Sequence, residues 1–337
     1  MIDCVIYSDL HIRENRIEDF IHVLKEIPKI AESEGVSYII NAGDTFDTRG
    51  IINTACLQTV YNEFKKWQDK GLKQTILVGN HDQADKAGLI HPMSVFESFD
   101  KWQVIDKPKV SKEKKILFLP YMQKSEMENF LSKENWTGWT GIFHAGILGA
   151  KMSSITTDKE GLSIDLLKDF KIIFSGHYHL RHELKNVFYI GSPLQQDHGE
   201  ADQEKGVIVV RNNKMNFVPI KGTPRFFNIR VTWDNNKRQI EMPKIVPNLN
   251  DYAAVTLEGD IEQVSSVTRK DLELEIRAGN IKINRNAKVN VNTRMNIETK
   301  DIFDTEGLMK KYLEHIETSL PKDRLMKVGK EILSATL

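Results

Sequence analysis

Five short apolar runs in the first 180 residues each give way to Asp, His or Asn, and this recurrence constrains the chain more than any other feature. Ile2–Tyr7 precedes Asp9 and His11, and Tyr38–Asn41 precedes Asp44. Thr75–Val78 precedes Asn80, His81 and Asp82, Thr140–Phe143 precedes His144, and Ile172–Phe174 precedes His177 and His179. Apolar runs of this length, bounded by Gly and polar residues, read as buried strands, and Ile116–Leu119 joins the series. Between the earlier runs, Ile17, Phe20, Ile21, Leu24 and Ile27 recur at helical spacing, as do Leu57, Tyr61, Phe64 and Trp67. Both stretches predict amphipathic helices covering a sheet. Val187–Ile190 and Gly206–Val210 read as consecutive strands with no helix between them. The result is an α/β core whose reactive groups sit at strand ends, where parallel and mixed sheets hold ligands.

The residue types in that pattern point to one chemistry. An isolated Asp after a strand is most often a turn or cap residue, and an isolated His is most often a satisfied surface or core group. His22, His91, His182, His198 and His315 read that way. The ordered set Asp-x-His, Gly-Asp, Gly-Asn-His-Asp, His, Gly-His-x-His does not. It offers oxygen and nitrogen donors and no thiolate, which suits Mn²⁺, Fe or Zn²⁺ at a reactive centre rather than a structural zinc. Seven candidate ligands (Asp9, His11, Asp44, Asn80, His144, His177 and His179) exceed what one ion with an open position takes. Two ions sharing a carboxylate fit the number better. Gly43 and Gly79 each precede a candidate, letting the backbone turn at a crowded point.

Composition narrows the class without naming a partner. The 337 residues carry 47 basic and 47 acidic side chains, so any basic surface must be local. Cys4 and Cys56 provide no disulfide framework, and Cys4 in its apolar run reads as a buried structural thiol. No signal-peptide pattern opens the sequence and no apolar stretch approaches the roughly 20 residues of a membrane span. The expectation is a soluble cytoplasmic protein, neither secreted nor membrane-bound.

The ordered set resembles the calcineurin-like metallophosphoesterase superfamily. That resemblance implies a β-sandwich flanked by helices (αββα), with Asp9, His11 and His179 on one divalent ion, Asn80, His144 and His177 on a second, and Asp44 bridging. It makes His81 the catalytic non-ligand that meets the scissile phosphate and the leaving oxygen. Within the superfamily, Ser8–His11, Ala42–Thr48 and above all Tyr189–Glu200, running on to Lys205-Gly206, look like the SbcD/Mre11 nucleases; that last stretch also reads as a tight loop joining two strands. Archaeal and eukaryotic members usually carry His where this chain has Asp47, which aligns it with the bacterial and phage branch and leaves position 47 without an implied phosphate contact. The family implies a Mn²⁺-dependent (or Mg²⁺-dependent) DNA nuclease with 3′-to-5′ exonuclease and endonuclease activity. It also implies an SbcC/Rad50-like ATPase partner, and a homodimer through residues around 52–66 and 91–99. A small-molecule phosphodiesterase or phosphatase and a DNA-end-binding scaffold are the alternatives.

The expected organisation is a nuclease domain over 1–220, a linker at Lys221–Pro224, an α+β capping or DNA-binding domain over 225–297, and a helical ATPase-binding region over 300–337. In the second part, Phe226–Trp233, Ala253–Leu257, Ile281–Ile283 and Val289–Val291 read as strands and Glu262–Leu272 as one helix. Arg277 to Ile297 holds five basic residues and no acidic one, which reads either as a solvated edge strand or linker or as a phosphate contact. Arg181 and Arg225 are further DNA-contact candidates. At the end, Ile302, Phe303, Leu308, Met309, Tyr312, Leu313 and Ile316 form one apolar stripe. After Pro321, Leu325, Val328, Ile332 and Leu333 form another. Two short helices of this kind pack on a core or dock into a partner's groove.

Overall fold

A computed structural model describes residues 2–85, 88, 90–288, 305–316, 318 and 320–336. The N-terminal half alternates strand and helix: β1 (Cys4–Tyr7), α1 (Ile17–Ser33), β2 (Tyr38–Asn41), α2 (Thr54–Asp69), β3 (Lys73–Leu77) and β4 (Trp102–Ile105). Next come β5 (Lys109–Ser111), β6 (Ile116–Leu119), α3 (Lys124–Leu131), β7 (Thr140–His144), β8 (Ile172–Gly176), β9 (His182–Leu184) and β10 (Val187–Tyr189). The hairpin β11 (Gly206–Arg211) and β12 (Lys214–Pro219) completes this part.

These strands form two six-stranded sheets, ordered β12-β11-β1-β2-β3-β4 and β5-β6-β7-β8-β10-β9. In the first, β1 to β4 run parallel; in the second, β6, β7, β8 and β10 do. Successive side chains on a strand point to opposite faces, and here both faces are covered. Ile6, Ile40, Leu77 and Ile208 of the first sheet pack against Phe118, Ile142, Phe174 and Phe188 of the second. Their neighbours Val5, Tyr7, Ile39 and Ile76 face outward onto α1 and α2, where Phe20, Leu24, Phe64 and Trp67 are fully or almost fully buried. On the other outer face, Leu117, Phe143 and Ile173 pack with Met127 and Leu131 of α3. The layers are therefore helix, sheet, sheet, helix, as expected.

Several elements escaped the periodicity reading. β4 and β5 are short strands with polar residues in them, and α3 buries only Met127 and Leu131. Val187–Ile190 and Gly206–Val210 are not sheet neighbours: β10 belongs to the second sheet and β11 to the first. The stretch between them crosses from one sheet to the other.

Beyond Pro224, β13 (Phe226–Asp234), β14 (Lys237–Glu241), β15 (Tyr252–Asp260), α4 (Ile261–Ser266), α5 (Arg269–Ile276) and β16 (Asn280–Lys288) form a third sheet, ordered β14-β13-β15-β16. Asn235 and Asn236, both at positive φ, make the β13–β14 turn. The single helix expected over Glu262–Leu272 is two, because Thr268 ends one and caps the next by accepting the Asp271 N–H. Within the basic run, residues 280–288 lie on the edge strand β16, and Arg285 donates to the Val267 carbonyl. Val289–Val291 lies outside the described residues, as do Ile302 and Phe303. Of the C-terminal stripes, α6 (Thr305–His315) and α7 (Lys322–Thr336) are helical. No helix among the described residues is long and apolar enough to cross a membrane.

Candidate metal centre

The carboxyl ends of β1, β2, β3, β7 and β8 converge, and the residues just past them meet in one cluster. Reaching it bends the backbone hard. Asp9 (φ 55°), His11 (φ 48°), Asp44 (φ 56°) and His177 (φ 96°) all adopt left-handed conformations. For residues such as His11 and His177 that costs about 1–2 kcal/mol each, a strain that persists only where the surroundings fix it. Two glycines make the crowding possible. Gly43 sits at φ +105° against the His144 ring, and a Cβ on Gly79 would collide with the Asp44 carboxylate and backbone nitrogen.

Within the cluster, Asp9, His11 and His179 can offer ligand atoms to one point, and Asp44, His144 and His177 to another. Asp44 belongs to both sides. Its Oδ2 is 3.5 Å from His11 Nε2 and 3.2 Å from His144 Nε2, while its Oδ1 accepts the His81 N–H at 2.8 Å. Asn80 Oδ1 lies 3.0 Å from His144 Nε2 and 2.7 Å from His177 Nδ1, which puts it with the second group. The backbone N–H of His177 donates to both oxygens of Asp9, at 3.0 and 3.2 Å, tying the two sheets together at the site. The arrangement fits divalent ions on an observation independent of motif: His11 is buried, and neither ring nitrogen has a hydrogen-bond partner among the described residues. A buried imidazole left unpaired is costly unless something else takes its lone pair.

Hydrogen bonds around the cluster set which nitrogens are available. A carbonyl can only accept, so His144 Nδ1–H donates to Ala42 O at 2.7 Å and its Nε2 faces Asp44 and Asn80. His179 Nδ1–H likewise donates to the Glu200 carboxylate at 2.7 Å, leaving Nε2 for the centre. Carboxylate or carbonyl partners of this kind orient ligating histidines and raise their basicity. His81 Nδ1–H donates to the backbone carbonyl of Asp47 at 2.8 Å. Since that contact uses the main chain, the identity of side chain 47 leaves it intact; Asp47 Oδ1 itself lies 3.7 Å from His11 Nδ1.

The charges divide as the geometry requires. Burial lowers His11 to about 3 and, with help from the neighbouring His144, His177 to about 4, so both are neutral donors at ordinary pH. Burial would lower His144 as well, but the Asp44 and Asp9 carboxylates and the Ala42 carbonyl reverse this and lift it to about 9. Burial works to raise Asp44, and His144 overcomes it, holding that carboxyl well below the usual carboxylate range. Without ions, His144 and Asp44 therefore form a buried imidazolium–carboxylate pair.

Four supporting residues carried no individual role in the sequence reading. Asp82, the last residue of Gly79-Asn80-His81-Asp82, is not a ligand candidate. It accepts N–H bonds from Thr45, Phe46 and Gly79 at 3.0–3.1 Å and so clamps the loop after β3 to the loop after β2. Burial and the nearby Asp44 raise its carboxyl to about 7. Gln196 donates to the carbonyls of Asp9 and Leu10. Glu200 and Lys205 are both only 7% exposed, and Lys205 Nζ reaches Glu200 Oε2 and His179 O at 2.8 Å. Burial would raise Glu200, yet His179 and Lys205 hold it down at about 2. The long stretch from Tyr189 to Gly206 is thus a brace on two sides of the centre. Its signal in the sequence was a Glu and a Lys in a segment with no helical or strand period. Of the remaining histidines, His22, His182 and His198 lie outside the cluster, as does His91, whose Nε2 is 3.9 Å from Asp106.

Replacing Glu200 by Gln keeps an acceptor for His179 but removes the charge facing Lys205. Its expected effect is a 10–100-fold loss in Mn²⁺ affinity, measured by equilibrium dialysis.

The calcineurin-like phosphoesterase family profile matches residues 3–181. Protein 244L of Invertebrate iridescent virus 6, named as a phosphoesterase, is 28% identical over 219 residues, covering 61% of this chain and 75% of that protein. Exonuclease subunit 1 of Enterobacteria phage T4 is 25% identical over 203 residues, covering 58% of this chain and 60% of its own length. The DNA double-strand break repair protein Mre11 of Sulfurisphaera tokodaii is 25% identical over 221 residues, covering 59% and 56%. The match thus spans less than two thirds of the last two relatives. The matched profile covers more than half of the chain and every strand end that feeds the cluster, and the chain belongs to the calcineurin-like phosphoesterase family.

Proposed function

We propose that this chain is the nuclease subunit of an SbcCD- or Mre11–Rad50-like complex, hydrolysing DNA phosphodiesters with two divalent ions, Mn²⁺ foremost and Mg²⁺ second. The observation that carries the chemistry is the single Asp44 oxygen set between His11 Nε2 and His144 Nε2. A carboxylate so placed could serve two ions, with Asp9, His11 and His179 as the residues that would hold one and Asn80, His144 and His177 the other. The choice of DNA is supported by the likeness to proteins named as an exonuclease subunit and a double-strand break repair protein. A 3′-to-5′ exonuclease with endonuclease activity is the reading that follows.

Divalent ions held by these residues would supply a nucleophile at neutral pH and offset the charge of the phosphate. The chain's own groups do the rest. Asp44 provides buried negative charge, and the oriented imidazoles of His144 and His179 keep Nε2 directed inward. His81, half-buried and oriented through Nδ1, turns Nε2 toward the scissile group. There it stabilises the departing oxygen or returns a proton to it.

Because the His144 imidazolium would have to lose its Nε2 proton to solvent before that nitrogen could hold a metal, uptake at the second set is coupled to pH. Mn²⁺ affinity is expected to rise about tenfold per pH unit from 7 toward 9 and to level off above, as one proton is released per ion. Calorimetric titration in buffers of differing ionisation enthalpy checks this, and a pH-independent affinity without proton release would contradict it.

Association follows the same proposal. Ile51 and Tyr61, near or on α2, and Val95 are exposed apolar side chains in the region proposed for the homodimer. The helices α6 and α7 are proposed to dock on the ATPase subunit, and Tyr312 and Val328 on them are exposed. The test is hydrolysis of single-stranded DNA and of a chromogenic phosphodiester with Mn²⁺ or Mg²⁺, with and without a co-expressed SbcC/Rad50-like ATPase. DNA cleavage supports the proposal; cleavage of the chromogenic ester alone, with the ATPase present, favours a small-molecule phosphodiesterase.

A further inference from the structure

The left-handed backbone at Asp9 and His11 has to be held in place by something outside its own loop. Gln196 does part of this, donating Nε2 to Leu10 O at 2.9 Å and Asp9 O at 3.3 Å. Gln196 is itself fixed by Arg13 Nη2, at 2.7 Å to Oε1 and 2.8 Å to the carbonyl. The preceding residue faces the other way. Gln195 Oε1 accepts the N–H of Phe226, the first residue of the third sheet, at 2.6 Å. Two adjacent side chains thus join the third sheet to the loop that carries two candidate ligands.

Arg16 reinforces the same joint. It is 5% exposed, pairs with Asp19 at 2.7 Å, and donates Nη1 to Gln195 O at 2.8 Å and to Gln196 O at 3.3 Å. Its guanidinium carbon lies 5.1 Å from the Phe226 ring centre and 5.3 Å from that of Tyr252. Those two rings are register partners on β13 and β15, stacked at 4.7 Å and 11°. Arg16 Nη2 has no hydrogen-bond partner among the described residues, and the guanidinium carbon also lies 5.8 Å from the Phe20 ring centre on α1, so aromatic rings surround the group. A polar cleft of about 420 Å³, lined by Gln195, Lys205, Lys221, Arg225 and Asp251, runs beside the joint.

We propose that Arg16, Gln195 and Gln196 are positioning residues that transmit the placement of the third sheet to the metal centre. Metal affinity then depends on Phe226 and Tyr252, side chains on a different sheet from every candidate ligand. The proposal rests on the metal reading above and is independent of whether DNA is the substrate.

The test is Mn²⁺ binding to the full chain by equilibrium dialysis, with unfolding temperature followed on the same preparations. Tyr252→Leu is expected to weaken Mn²⁺ binding about tenfold, and Gln196→Ala by a similar factor. The double variant should lose little more than the larger single loss, because both changes cut one relay. Arg16→Lys keeps the charge but loses the planar fork and should follow Tyr252→Leu; it decides the matter if the latter does not fold. Unchanged Mn²⁺ affinity in the folded variants, or fully additive losses, would overturn the relay. A wild-type chain that takes up no Mn²⁺ would overturn the metal reading beneath it.

Discussion

Replacing Asp44 by Asn is expected to empty both ion sets together and to lower phosphodiester hydrolysis by roughly 10³-fold or more. The substitution is nearly isosteric, and Asn Oδ1 still accepts the His81 N–H now held at 2.8 Å, so the loop keeps its course. What disappears is the one negative charge shared between His11 and His144. Losing it also removes the strongest of the influences that lift His144, so that ring's affinity for a proton falls, with Asp9 and the Ala42 carbonyl still opposing its burial. Elemental analysis after Mn²⁺ equilibration checks the outcome. Retention of two ions per chain would show that Asp44 is not the bridge.

His81→Ala has a large expected effect of a different kind: a 10²–10⁴-fold fall in kcat with metal content unchanged. Geometry alone would allow His81 as a ligand, since it lies in a group with His11 and Asp44, its ring 4.6 Å from the His11 ring centre. Two features set it apart. It is less buried than those two, and it is oriented through a main-chain carbonyl on a loop that contributes no ligand at position 47. Activity measured beside Mn²⁺ stoichiometry separates the roles. Loss of an ion in this variant would make His81 a ligand.

The strand ends were legible because each carries two signals at once, an apolar run and a polar residue directly behind it. Ile6 and Ile40 alternate with Val5 and Ile39 between the two faces of one sheet, so even four-residue strands leave a readable pattern. β5 left none, since Lys109–Ser111 is three residues at a sheet edge with little to bury. The break between α4 and α5 was missed because Val264, Val267 and Leu272 keep a near-helical spacing across it, while the Thr268 cap works through one side-chain oxygen. At the centre, residue types disclosed which groups gather, but not what supports them. Asp82 stood in the Gly-Asn-His-Asp motif without a role of its own and is a clamp between loops. Glu200 and Lys205 were visible only as part of a long motif; their pairing behind His179 depends on a crossing between sheets that no local period records.

The most direct test of the proposed two-ion centre is anomalous diffraction from crystals equilibrated with Mn²⁺. The expected result is two peaks about 3.5–4 Å apart. One should lie among Asp9, His11, Asp44 and His179, the other among Asp44, Asn80, His144 and His177, with His81 bound to neither. A single peak, or a pair that does not share Asp44, would contradict the account.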